Sequence, residues 1–147
     1  MSFFDAMDIN ATGLTAQRLR MDVISENIAN VSTTRTAQGG PYKRKTVVFQ
    51  EIKDGSPFAE VLKDSVRRVN QGYGVRVHQI VEDEFPGPLQ YDPSHPDADA
   101  EGYVRMPNIN IVEEMVNMIS ASRSYEANVT AMNSTKAMIN KTLELGR

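Results

Sequence analysis

Proline is absent from both ends of this chain. Residues 3–30 and 111–145 hold no proline and one glycine, Gly13, while all seven prolines and seven of the nine glycines lie between 39 and 107. Proline inside a helix removes a hydrogen bond and clashes with the preceding turn, at about 3 kcal/mol. Long helices are therefore confined to the two ends, and the middle is left to short strands and turns. The expected fold is mainly α with a small β-containing middle: long N- and C-terminal helices pairing as a coiled coil around a short strand-and-loop segment. In domain terms, 1–34 plus 108–147 form the helical layer and 35–107 the middle segment. A length of 147 residues accommodates one such domain with a core that needs no staples.

Both ends carry apolar residues at seven-residue intervals. In the first, Met7, Leu14, Met21 and Ile28 recur, and Phe3, Val23 and Ile24 widen the stripe. Ser2 is a candidate cap, Asp5 suits the first turn, and Asn30 is a candidate terminator before the turn-rich "NVSTT". In the last, Ile111, Met118, Tyr125, Met132 and Ile139 recur, and Met115, Val129 and Leu143 sit four residues after three of them. Ser122 and Lys136 interrupt that second row. Asn110 with Glu113 resembles a capping box, Glu114 adds favourable charge at the helix start, and Lys141 and Gly146 mark a stop. At about 1.5 Å per residue these helices reach roughly 40 and 50 Å. Stripes this long need long partners, which are each other, further copies of the chain, or both.

The middle reads as "KRKTVVFQEI" (43–52) and "GVRVHQIVED" (74–83), two β-branched strands, followed by the extended, proline-pinned 85–107. Residues 58–69 fit a helix or a strand equally well.

Charge and composition exclude several functions. Net charge is −3, so the chain as a whole has no electrostatic reason to seek nucleic acid; Lys43-Arg44-Lys45 and Arg67-Arg68 are read as salt-bridging runs toward acidic neighbours, further copies included. There is no cysteine, hence no disulfide and no thiol catalysis. No stretch approaches the roughly 20 apolar residues of a membrane span. The opening "MSFFDAMDIN" lacks the basic and apolar parts of a cleaved secretory signal. "DADAEG" (97–102) opens like a calcium loop, but the twelfth place is Asn108 where a bidentate carboxylate is needed, so it reads as an acidic turn. His78 and His95 are isolated, and no nucleophile, phosphate-loop or metalloprotease motif is present. Neither enzymatic activity nor a cofactor is expected. Five Asn-x-Ser/Thr triplets look like glycosylation sites, but most fall on the helical ends. Asn128, Asn133 and Asn140 are read instead as amides that fix helix register, with Asn10 on the first helix.

"NIANVSTT" at the first helix end resembles the Ala-Asn-x-x-Thr motif of bacterial flagellar axial proteins, at Ala29, Asn30, Thr33 and Thr34. With "GGPYKRKTVVF", "GVRVHQIVED", "YDPSHPDADAEGYVRMPNIN" and the last helix, nearly the whole chain is similar to the proximal-rod FlgC family of flagellar basal-body proteins, and 91–110 is the most specific part. Residues 53–71 carry no family mark, and Ile111 stands where the family run has proline. The resemblance implies a structural subunit exported unfolded through the flagellar type III apparatus without cleavage. It also implies polymerisation into the helical tube that spans the periplasm and transmits torque. The terminal helices would form an inner layer and the middle an outer one, with other rod proteins, further copies and the flagellar base as partners. Another axial subunit and a cytosolic coiled-coil adaptor remain the alternatives.

Long stripes without partners do not offset their ordering entropy, so the dilute chain is expected to be partly disordered at its helical ends. Circular dichroism checks this; full helicity with a sharp cooperative melt contradicts it.

Overall fold

The computed structural model describes residues 3–52 and 74–145. Ser2, the 58–69 stretch, Arg67-Arg68 and Gly146 lie outside the described residues. Helix α1 spans Phe3–Ala29 and helix α2 spans Ile111–Leu145. Between them come strands β1 (Lys45–Glu51), β2 (Val75–Glu82), β3 (Leu89–Tyr91) and β4 (Tyr103–Arg105), forming two separate two-stranded antiparallel sheets. Mainly helical, with long ends around a small β middle, is what the proline distribution predicts.

The helices run antiparallel against each other. Asn27 lies against Glu114, and Gly13 lies against Asn128, so the stretch from 13 to 27 opposes that from 128 back to 114. At about 1.5 Å per residue the span between these two marks is roughly 21 Å. Apart from Val23 and Ile24, the innermost positions are small or polar. On α1 they are Gly13, Ala16, Val23, Ile24 and Asn27; on α2 they are Glu114, Ala121 and Thr135, with Asn128 half-buried between them. Glu114, Ala121, Asn128 and Thr135 recur every seven residues and alternate with Met118, Tyr125, Met132 and Ile139, which are all half-buried. This is the spacing of a coiled-coil seam.

The seam therefore differs from the one expected. Met7, Leu14, Met21 and Ile28 are half-buried and flank the facing row of α1. On α2 the row through Met118 lies beside the contact, but its companion is on the other side from Met115, Val129 and Leu143. Met115 and Leu143 are exposed, as is Ile111, and Val129 is half-buried. Apolar periodicity picks out the large side chains, whereas the closest approach uses small ones. Gly13 is the reason: a Cβ there would sit 3.1 Å from the Asn128 amide.

The hairpin β1–β2 packs on α1. Its register runs from Lys45↔Glu82 to Glu51↔Val75, with a shift at Val48/Phe49 that leaves His78 as the extra residue of a bulge. Its base is pinned by Thr12, whose hydroxyl donates to the Ile9 carbonyl at 2.7 Å and accepts from the Val75 amide at 3.2 Å. Gly74, at φ 101°, lets the chain pass this close; a Cβ would strike the Thr12 hydroxyl.

The segment expected to be merely extended folds as the hairpin β3–β4, with Gln90 opposite the buried Val104 and the Tyr91 and Tyr103 rings edge to face at 5.2 Å. Its loop is tied by side chains. The Asp99 carboxylate accepts from the Glu101 and Tyr103 amides, and His95 Nδ1 accepts from the Asp97 amide. Asp92 accepts from both the hydroxyl and the amide of Ser94, which hold its carboxyl below the usual range. Asp97 and Asp99, the first acids of the calcium-like run, are thus engaged by the Thr34 hydroxyl and by the turn itself.

Gly13→Ala tests the helix spacing. An open helical site gains about 1 kcal/mol from this change. Here the new methyl meets Asn128, so the expected gain is smaller or reversed, and it is recovered in the Asn128→Ala background. Equal urea-midpoint shifts in both backgrounds would rule out this contact as the spacer.

Candidate assembly interface

A buried polar junction holds the scaffold on which the interface is built. Asn27, at the C-terminal end of α1, uses every hydrogen-bonding position of its amide. Its Oδ1 accepts from the Lys45 amide at 2.9 Å and the Tyr42 hydroxyl at 3.2 Å. Its Nδ2 donates to the Lys45 carbonyl at 2.8 Å and to Glu114 Oε2 at 3.0 Å. The side chain thus pairs with both backbone groups of Lys45 as a neighbouring strand would, and joins the start of β1 to the start of α2.

Glu114 completes the junction. It is 1% exposed, and its Oε1 accepts from Arg44 Nε at 2.9 Å and from an Arg44 terminal nitrogen at 2.6 Å. The Arg44 amide donates to Asn108 Oδ1 at 3.2 Å, and its carbonyl accepts from the Asp83 amide at 2.8 Å, adding the approach to α2 and the exit of β2. Lys45 Nζ donates to Glu26 Oε1 at 2.7 Å and stands 5.5 Å from the centre of the Tyr42 ring. Of the basic run at 43–45, Arg44 and Lys45 find their acidic neighbours, Glu114 and Glu26, within this chain.

The capping pair at α2 is half realised. Asn110 Oδ1 accepts from the Val112 amide at 3.0 Å, whereas Glu113 points toward Arg44, 3.8 Å away. A second acid beyond the one a capping box requires is the sequence sign of this junction. Asn27 has a weaker sign. It lies two seven-residue steps after Gly13, on the face of small residues that a search for large apolar side chains passes over.

The family-motif residues form a knot where α1 ends. The Asn30 amide and its Nδ2 both donate to the Glu26 carbonyl, at 3.1 and 2.9 Å. Asn30 Oδ1 accepts from the Thr33 hydroxyl at 3.1 Å, and the Asn30 carbonyl accepts from the Thr33 amide at 3.0 Å. The Thr34 hydroxyl donates to Asp97 Oδ2 at 2.8 Å, docking the β3–β4 loop beside the knot; Ala29 is the exposed last residue of α1. Asn30 ends the helix by folding its side chain back over the last turn.

The expected register amides divide. Asn128 packs on Gly13, but its Nδ2 donates to the Ser124 carbonyl of its own helix at 2.9 Å. Asn133 and Asn140 are exposed. The amide that bridges the helices is Asn27. Helix hydroxyls, including those of Thr130 and Thr135, bond back to carbonyls four residues earlier.

Opposite the contact with α1, the outer face of α2 exposes Val112, Met115, Val116 and Ile119, with Ile111 beside them. A contiguous apolar surface of this kind on a folded chain marks a site of association.

The chain is similar to known proteins along its whole length. A family model described as "Flagella basal body rod protein" matches residues 7–35, and one described as "Flagellar basal body rod FlgEFG protein C-terminal" matches 100–145. The flagellar basal-body rod protein FlgC of Borreliella burgdorferi is 50% identical, covering 99% of this chain and 98% of that protein. That of Bacillus subtilis is 48% identical and that of Salmonella typhimurium 41%, each over 100% of both chains. The chain belongs to the FlgC family. In this FlgC-family chain the first model covers most of α1 and the Asn30 knot, and the second covers β4 and α2. No helix among the described residues is long and apolar enough to cross a membrane.

Glu114→Ala removes the acceptor of Arg44 and Asn27 and is expected to cost about 3 kcal/mol, the low end for breaking a buried pair, because Arg44 keeps some solvent access. Glu113→Ala, at an exposed site, is expected to stay within about 0.5 kcal/mol. Chemical denaturation compares the two. Alkaline pH gives a second test. Burial, and then the Glu26 charge, raise the Tyr42 pKa, while the hydrogen bond to Glu26 raises that of Lys45. The folded chain therefore holds these protons more tightly than the unfolded one. Their contribution to stability is expected to be fully present below about pH 10 and to be lost above it. Tyr42→Phe with Lys45→Met should flatten that fall in urea midpoints between about pH 9 and 12.

Proposed function

We propose that this chain is a structural subunit of the flagellar proximal rod, polymerising with other rod proteins and further copies into the tube that transmits motor torque across the periplasm. Family membership over the full chain supports the rod. The exposed apolar face of α2 is the observation that supports assembly through the helices. In this reading, 1–34 plus 108–147 form the inner helical layer and 35–107 the outer part that meets neighbouring subunits. Seam residues left half-buried or exposed in one chain, Met7, Leu14, Met21, Ile28, Ile111, Met115, Val129 and Leu143 among them, are covered by adjacent subunits. Asn133 and Asn140 find their partners there too. The chain reaches its site through the flagellar type III export apparatus, attaches toward the flagellar base, and has no catalytic role.

A cytosolic adaptor acting through basic runs has less support, since Arg44 and Lys45 are engaged internally. An open, repeating contact between unlike surfaces is what generates a tube.

Deletion of the gene is expected to abolish swimming and filament formation, and a swimming deletion strain contradicts the rod. Val112→Asp with Ile119→Asp places charge on the outer face only. Helicity and melting of the purified chain should be retained while complementation of swimming is lost. Met118→Asp with Met132→Asp, on half-buried sites beside α1, should instead lower the stability of the chain itself. Swimming restored by the outer-face variant would remove that face from assembly.

A further inference from the structure

Beside the buried junction, α1, β1 and the start of α2 enclose a cleft of about 390 Å³. Its apolar walls are Val23 and Ile24 of α1, both buried, and Val47 and Phe49 of β1, both half-buried. Two polar side chains that line it have no partner. Arg20 is half-buried and makes neither an ion pair nor a hydrogen bond among the described residues. Asn117, also half-buried, leaves its side-chain amide without a hydrogen bond among them. The other charges of the lining are engaged, Arg44 with Glu114 and Lys45 with Glu26. Glu113 stands exposed at the rim, 3.8 Å from Arg44.

We propose that this cleft receives an acidic side chain of a neighbouring rod subunit, Arg20 holding its carboxylate. The inference rests on the rod-subunit reading and names the chemistry of one contact. A guanidinium partly withdrawn from water has lost hydration that only an anion restores in full. Its planar fork matches a carboxylate with two parallel hydrogen bonds, and the Asn117 amide adds a further donor. The four apolar wall residues cover the stem of the acid. A cation would meet Arg20 with like charge, and an uncharged apolar group would leave it unpaired. The cleft lies in the range of about 300–1,000 Å³ typical of ligand sites and is larger than a single carboxylate needs. Glu113 and Asn117 each follow an exposed apolar residue of α2, Val112 and Val116. An occupant that also covers those two is larger than the cleft, which fits a protein surface better than a free acid. Glu113 repels the incoming carboxylate, so it limits the affinity of the site.

Sodium hexanoate carries the same chemistry on a free molecule and serves as the probe. Titrated into the purified full chain, it is expected to shift the methyl resonances of Val23, Ile24 and Val47 to saturation. Arg20→Gln should weaken it by about tenfold or more, as loss of a charged hydrogen-bond partner does, and Glu113→Gln should tighten it. Absence of saturation, equal affinity for hexanol, or an affinity indifferent to Arg20→Gln overturns the site. In cells, Arg20→Glu is expected to abolish swimming while the purified chain keeps its helicity and melting. Asn117→Asp supplies a carboxylate to Arg20 from within the chain and is expected to abolish swimming too, so a folding defect in the first variant leaves the second to decide. Swimming with both variants means that no subunit uses the cleft and overturns the proposal while leaving the rod reading intact. A deletion strain that swims overturns the rod reading itself.

Discussion

A carboxylate buried between two helices governs the rest of this structure. Glu114 is almost without solvent, and its desolvation is offset only while Arg44 and Asn27 both reach it. Those two residues come from different places, one from the approach to β1 and the other from the end of α1. Seven-residue stripes are nearly degenerate to a shift of seven residues, because each register buries similar side chains. Shifting this pair by seven would take Glu114 away from Asn27 and leave the Asn27 amide unpaired on that side. The buried polar junction removes that degeneracy, and Gly13 against Asn128 adds a second mark fourteen positions away.

The same junction organises the middle. Asn27 acts as a strand neighbour for Lys45, so β1 begins where α1 ends; the Arg44 carbonyl takes the Asp83 amide and fixes the exit of β2. Thr34 holds the β3–β4 loop through Asp97. The small sheets depend on the helix pair for their placement, which suits a chain whose middle has little core of its own. Among the described residues, the pairing leaves uncovered the apolar outer face at the start of α2.

Much of the fold is legible in the sequence because proline and glycine act locally. Their confinement to the middle places both helices, and β-branched alternation places β1 and β2. The α2 seam is displaced to one side of its expected position because periodicity weighs large apolar residues, whereas close helix approach selects small ones such as Gly13, Ala16 and Ala121. The β3–β4 hairpin is hidden by prolines at its flanks and by strands of only three residues each.

The sequence by itself determined the helical ends, the two longer strands, the Asn30 stop and the family, since each rests on short-range backbone preference or on a contiguous motif. Only the tertiary structure decided that Asn27, Arg44 and Glu114 meet and which face of each helix is inward. Those outcomes depend on residues up to 87 positions apart, and the desolvation that makes them decisive exists only once the helices have closed on each other.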